Sequence, residues 1–226
     1  MPLFKNNNLK NNSIMKQFQN TKTMNIAFLI YDQVEALDLN GPLDVFVKAN
    51  VIHPNSCHCF TVGKIKEPIY MEADTMAIIP TYDIHTCPKP DMIVVPGASP
   101  EHIMKYIQDK DFQETVLEWI KTHYDTGTAV FTICTGSMLL SGTCILANRD
   151  ITTHSMLLDA LEQHNPEANV IRNVRYVDQE QLITTAGITA GIDAALYLVG
   201  KHLGKETMDT IITIFEYQNR ESESLA

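Results

Sequence analysis

The sequence predicts an α/β fold built on a doubly wound, mostly parallel sheet with helices on both faces, and three observations predict it. Several short runs are apolar almost throughout rather than alternating: Met24–Tyr31, the Met-Ile-Val-Val stretch within Asp91–Gly97, and Ala129–Ile133. Runs of that kind suit strands buried on both faces of a parallel sheet. Each is followed by a stretch with helical features, and strand–helix alternation is what a parallel sheet requires. Gly and Pro punctuate the strand ends, as at Pro96-Gly97.

In chain order, residues 1–23 are rich in Asn, Lys and Gln without apolar periodicity. They read as a poorly ordered extension rather than a signal peptide, which would carry an apolar core. Met24 opens the first strand. A helix is expected after it, capped at Asn40 or Gly41 with Pro42 in its first turn and Leu43, Phe46 and Val47 inward. Cys57–Gly63 reads as a strand, and Pro68–Met71 with Met76–Pro80 as a hairpin. Asp91–Gly97 reads as another strand, ending at a Gly, and leads into a loop and short helix. A longer helix over Asp109–His123 follows, with Phe112, Val116, Trp119 and Ile120 on one face. After the Ala129–Ile133 strand, Met138–Ala147 reads as helix. Ile151–His154 is short and β-branched, and Ser155–Gln163 is a brief helix. Val170–Val177 and Gln181–Thr185 form a hairpin-like pair. Gly187–Gly191 opens a helix that Gly204 ends, and a last helix carries Met208, Ile211, Ile212 and Phe215. With no internal repeat or linker, residues 24–218 read as a single domain and 219–226 as a frayed tail.

Composition narrows the function. The 226 residues suffice for one sizeable domain, and 45% apolar with 19% charged residues is ordinary for a globular chain. A net charge of −10 argues against a nucleic-acid partner, which calls for clustered Lys and Arg. No apolar run approaches the roughly 20 residues that span a bilayer, so no membrane partner is expected. The five cysteines, Cys57, Cys59, Cys87, Cys134 and Cys144, are odd in number and irregular in spacing. That does not suit a disulfide framework and points to a reducing cytoplasm. Cys57-His58-Cys59 lacks a second Cys/His pair to complete a tetrahedral set, and His58 faces away from both cysteines in a strand, so no metal is expected. Cys87 and Cys144 read as fillers.

Cys134 differs from the others by its position. The Ala129–Ile133 run stops at it, Thr135-Gly136-Ser137 turns the chain, and a helical pattern begins. A thiol at such a strand–turn–helix corner sits near unpaired helix N–H groups, which lower its pKa and favour a nucleophile. Asp38 follows the first strand and Gly97 ends the Asp91–Gly97 strand, so both reach the same carboxyl edge of the sheet, where ligands of this fold class bind. His154 and the Gly187–Gly191 loop can reach that rim. Glu35, just ahead of Asp38, is the rival carboxylate and reads as a solvated loop residue.

The motifs Asp38-Leu-Asn-Gly-Pro42, Val95-Pro-Gly97, Cys134-Thr-Gly-Ser137, Thr152-Thr-His154 and Gly187-Ile-Thr-Ala-Gly-Ile-Asp193 resemble the ThiJ/PfpI superfamily. Its fold is flavodoxin-like, of the class I glutamine-amidotransferase type. Within it, the resemblance is to the isonitrile hydratases, over about Met24 to Tyr217. It implies that Cys134 is the elbow nucleophile, Asp38 its carboxyl partner and proton donor, and Thr135 a third catalytic residue that places water. The Thr135 N–H would pair with that of Gly97 or Ala98 as an oxyanion-type site. Gly97, Ala98, His154, Gly187 and Ile188 are the substrate-binding candidates. The implied reaction is cofactor-independent hydration of an isocyanide to a formamide through a Cys thioimidate, by a homodimer acting on a small molecule. PfpI-like peptidases place a His directly after the Cys, where this chain has Thr135, which argues against proteolysis. Two alternatives stay open: glyoxalase- or deglycase-like chemistry on 2-oxoaldehydes with His154 as acid or base, and a non-catalytic thiol-based sensor. Fold relatives are joined to DNA-binding modules, but no basic recognition helix is read before Ala226, so direct control of DNA is not expected.

Overall fold

The computed structural model describes residues 22–218. The extension expected at 1–23, up to residue 21, and the tail expected at 219–226 lie outside the described residues. The chain runs β1 (Met24–Leu29), α1 (Ala36–Ile52), β2 (Cys57–Gly63), β3 (Ile69–Tyr70), β4 (Ala77–Ile78), β5 (Tyr82–Asp83), β6 (Met92–Val95), α2 (Pro100–Gln108) and α3 (Lys110–Phe112). A π-helical turn over Gln113–Leu117 joins α3 to α4 (Glu118–Asp125). Then come β7 (Ala129–Thr132), α5 (Gly136–Leu139), β8 (Asp150–Ile151), α6 (Leu158–His164), β9 (Asn169–Val170), β10 (Tyr176–Gln179), β11 (Leu182–Thr185), α7 (Ala190–Leu203) and α8 (Lys205–Phe215).

Seven strands form the central sheet in the order β10-β11-β7-β6-β1-β2-β5, and all pair in parallel except β10 with β11. The central strands are buried as their apolar runs require: Met92–Val95 is buried throughout, as is β1 from Ile26 onward. The chain leaves β1 toward β2 on one side and returns through β6 on the other. Such a reversal of direction opens a crevice at the strands' carboxyl ends. β7 is the next neighbour of β6, so the ends that carry Asp38, Gly97 and Cys134 lie side by side. Helices α1, α7 and α8 pack on one another, and α2 packs against α5. Among the described residues no helix is long and apolar enough to cross a membrane.

Val47, expected inward with Leu43 and Phe46, is instead 39% exposed, and three expectations about element bounds also need correction. The first helix starts at Ala36, not at Asn40 or Gly41, because Glu35 caps it by accepting from the Leu37 N–H. Pro42 therefore sits inside α1, and Asp38 lies in its first turn rather than in a preceding loop. The helix expected over Met138–Ala147 is only Gly136–Leu139. Gly142 there has φ +87°, a conformation that ends α-helices, and the Thr143 hydroxyl caps the Leu140 carbonyl at 2.6 Å. Val170 pairs with Ile151 in a small parallel sheet, so it belongs to no hairpin, and the hairpin narrows to β10 and β11.

Candidate active site

Cys134 follows β7 with φ +56°, the left-handed region that costs a residue with a Cβ about 1–3 kcal/mol. It is 5% exposed. Its sulfur is not set in hydrocarbon, for the N–H groups of Thr135 and Ile188 and the Asp38 carboxyl all act on it. Burial first, and then the negative charge of Asp38, push the thiol well above the ordinary cysteine range, against the pull of those two N–H groups. This reverses the expected lowering. A helix of four residues offers little dipole, while removing a thiolate from water beside a carboxylate is costly.

Asp38 is wholly buried, with its Oδ2 accepting from the Gly97 N–H at 2.9 Å. Its Oδ1 has no hydrogen-bond partner in the protein. Burial pushes its pKa up to about 7, with the charges of Glu35 and Glu72 adding to the rise. The Gly97 N–H and the neighbouring Cys134 thiol pull the other way. Gly97 is required by close approach: a Cβ there would stand 2.8 Å from Thr135 N and 2.9 Å from Asp38 Oδ2.

The donor pair expected from Thr135 with Gly97 or Ala98 is not formed. The Gly97 N–H serves Asp38, and the Ala98 N–H donates to Thr135 Oγ1 at 3.0 Å. That hydroxyl donates in turn to the Ala98 carbonyl at 2.7 Å. The Thr135 side chain therefore ties the turn at Cys134 to the loop after β6. The N–H groups that do face the sulfur are those of Thr135 and Ile188. His154 reaches the rim: its ring lies so close over Gly187 that a Cβ there would stand 2.9 Å from His154 Cδ2. Its Nδ1 accepts from the Met156 N–H at 3.2 Å and caps the turn over Ser155–Leu157. Among the described residues no three His, Cys, Asp or Glu side chains gather as a metal set.

Sequence reasoning placed Glu35 in solvent, and it missed Glu72. Glu35 is half-buried, and burial together with the neighbouring Glu72 carboxyl raises its pKa. Glu72 reaches it because the turn after β3 docks by its N–H on the Val34 carbonyl at 3.1 Å. Nothing in the local pattern around Glu72 signals that contact.

Residues 24–201 match the model of the DJ-1/PfpI family. The chain belongs to this family. It is 31% identical to an isonitrile hydratase of Pseudomonas putida over 195 residues, covering 86% of this chain and 78% of that one. It is 23% identical to the HTH-type transcriptional regulator GbdR of Pseudomonas aeruginosa, covering 91% of this chain and 54% of the regulator. The chain thus spans about half of that protein's length. Among solved structures, a ThiJ/PfpI family protein from Pseudomonas syringae superposes with a TM-score of 0.75 at 24% identity, over 89% of this chain and 79% of that one. Drosophila melanogaster DJ-1beta gives 0.72 at 16% identity, over 87% and 99%. At these identities the superpositions speak for the α/β fold.

Proposed function

We propose that this DJ-1/PfpI chain hydrates an isocyanide to its N-substituted formamide, with Cys134 as nucleophile and Asp38 as proton carrier. The observation that carries the proposal is the buried Asp38 carboxyl, one oxygen unpartnered and its pKa about 7, beside a thiol that keeps its proton. Similarity to an isonitrile hydratase supports it independently. With Asp38 ionised, the thiol proton passes to the carboxylate as the sulfur closes on the terminal carbon of R–NC. The carboxyl delivers that proton to the same carbon, so one C–S and one C–H bond form and R–N=CH–S–Cys results. Water then adds across C=N, oxygen to carbon and hydrogen to nitrogen. The C–S bond breaks with its electron pair on sulfur, and the hydroxyl proton returns to sulfur through Asp38, releasing R–NH–CHO. One water is consumed and no cofactor is called for. The Thr135 and Ile188 N–H groups favour the negative charge that develops on sulfur.

The test is mass balance on cyclohexyl isocyanide with wild type, Cys134→Ala and Asp38→Asn. Formamide made at undiminished rate by either variant removes that residue from the mechanism. A second reading, a thiol-based sensor, draws on the likeness to a transcriptional regulator. It expects Cys134 to oxidise readily while no substrate is turned over. Methylglyoxal consumption, measured alongside, separates the 2-oxoaldehyde alternative. We further propose a cytoplasmic homodimer. The exposed Leu37, Val47, Val51 and Ile214 on α1 and α8 are apolar surface that a second copy would cover.

A further inference from the structure

The strained backbone of Cys134 is held from outside its own strand. Its N–H donates to Thr185 Oγ1 at 3.3 Å, at the end of β11. Its carbonyl accepts from Thr153 Oγ1 at 2.9 Å and from the His154 N–H at 3.2 Å. Thr153 is 1% and Thr185 0% exposed, so neither hydroxyl has bulk water to turn to. The Thr185 hydroxyl donates onward to the Ala186 carbonyl at 3.3 Å, which leaves its oxygen to accept from Cys134. Were Cys134 to relax to negative φ, its N–H and C=O would swing away and strand these buried groups. Thr132 offers a contrast two residues upstream: its Oγ1 is buried with no partner.

We infer that Thr153 and Thr185 are positioning residues, a pair of hydroxyl clamps that lock Cys134 in its left-handed conformation and so fix the direction of its thiol. The inference deepens the reading of Cys134 as nucleophile and rests on it. Neither threonine reaches the sulfur chemistry; each acts through the Cys134 backbone. The clamp closes the elbow across three sheet segments, since Thr185 ends β11, Cys134 follows β7, and Thr153 follows β8. The consequence is testable because the held position sets the thiol beside Asp38, the charge that helps keep its proton on. Released, the side chain can leave that carboxylate.

The experiment compares Thr153→Val and Thr185→Val, which keep shape and lose the hydroxyl, with Thr153→Ser and Thr185→Ser, which keep it. Thr132→Val is the control for a buried threonine without a bond. Cys134 alkylation by iodoacetamide, located by peptide mass, is followed against pH to give the apparent thiol pKa. Cyclohexyl isocyanide turnover and urea midpoints are measured on the same samples. Each Val variant should lower the thiol pKa by about one unit, raising alkylation at pH 8 about tenfold while turnover falls about tenfold. The Ser variants and Thr132→Val should stay near wild type. General loosening also bares the buried thiol, so alkylation that rises only in proportion to the fall in the urea midpoint counts against the clamp, and a rise beyond it counts for it. Wild-type pKa and turnover in both Val variants overturn the clamp, as do equal shifts in Thr132→Val or in the Ser variants. Ala replaces Val at either site where the Val variant does not fold. If wild type makes no formamide, the hydratase reading fails and the alkylation arm alone decides the clamp. If Cys134 is alkylated at no pH, nucleophile and clamp fall together.

Discussion

Replacing Asp38 by Asn should make the folded protein more stable at pH 8 than it does at pH 5, relative to wild type, by about 3 kcal/mol. Asn has the same shape, can still accept from the Gly97 N–H, and does not titrate. In the unfolded chain the carboxyl ionises near pH 3.8, while in the fold burial holds the proton on until about 7. Between those values the folded state binds a proton that the unfolded state has lost. The stability this contributes is complete below the unfolded pKa, declines as pH rises, and is gone above about 7. The decline is about 1.4 kcal/mol per pH unit. From pH 5 to 8, about two units of it remain to be lost, hence about 3 kcal/mol. Groups remote from Asp38 titrate alike in both proteins and cancel in the difference, and Cys134 enters only above pH 8 because an unfolded thiol ionises near about 8.5. The assay is urea unfolding of both proteins at the two pH values, with equal m-values required. A wild-type-to-variant difference constant to within about 0.5 kcal/mol would show that Asp38 is ionised throughout and that its burial does not control its charge.

Four further outcomes are expected. The kcat/KM for cyclohexyl isocyanide should rise with pH with a midpoint near 7, because ionised Asp38 takes the thiol proton; a profile falling through pH 7 assigns the active form to the neutral carboxyl. At pH 7 iodoacetamide should label exposed Cys144 before buried Cys134, and peptide mapping that finds the reverse order contradicts the raised thiol pKa. Thr135→Val, by stranding the Ala98 N–H and carbonyl, should cost about 1–3 kcal/mol in urea, with Thr135→Ser near wild type. If the proposed dimer forms through the outer face of α1, wild type should scatter light at the mass of two chains and Val47→Asp with Val51→Asp should shift that mass toward one; a wild type of one-chain mass removes the dimer, and an unshifted variant places the contact elsewhere.

The sheet was legible because its strands are buried on both faces, and a continuous apolar run followed by a helical pattern leaves few other arrangements. The site was legible to the extent that it depends on strand ends. Asp38, Gly97 and Cys134 each follow a parallel strand, and β1, β6 and β7 are adjacent, so their carboxyl ends must meet. What could not be read depends on contacts remote in sequence. Pro42 gives a sound local signal for a helix start, yet the Glu35 cap and packing of Asp38 and Leu39 extend α1 past it. Gly142, not the apolar pattern around it, decides where α5 stops. The direction of the Cys134 shift was misread because a corner position speaks of N–H donors, while burial and the Asp38 charge belong to the assembled fold. The same holds for Glu72, whose carboxyl meets Glu35 across 37 residues.

A thiol that keeps its proton is a poor start for most cysteine enzymes, which meet an electrophilic carbonyl and need a thiolate waiting. An isocyanide reverses the requirement. Its terminal carbon carries a lone pair and resists a nucleophile until it has been protonated, so a resting thiolate with no acid nearby would face the wrong partner. Cys134 and Asp38 supply the opposite arrangement: sulfur protonated, and a carboxyl near pH 7 that can receive a proton and give it up with little penalty in either direction. Both partners are buried, so on the proposed mechanism the proton passes between them and the substrate rather than to solvent. The burial that raises both pKa values also keeps the pair coupled. Relieving it, by Asp38→Asn or by releasing the Cys134 backbone, should make the sulfur easier to ionise and, on the proposed mechanism, slow isocyanide turnover.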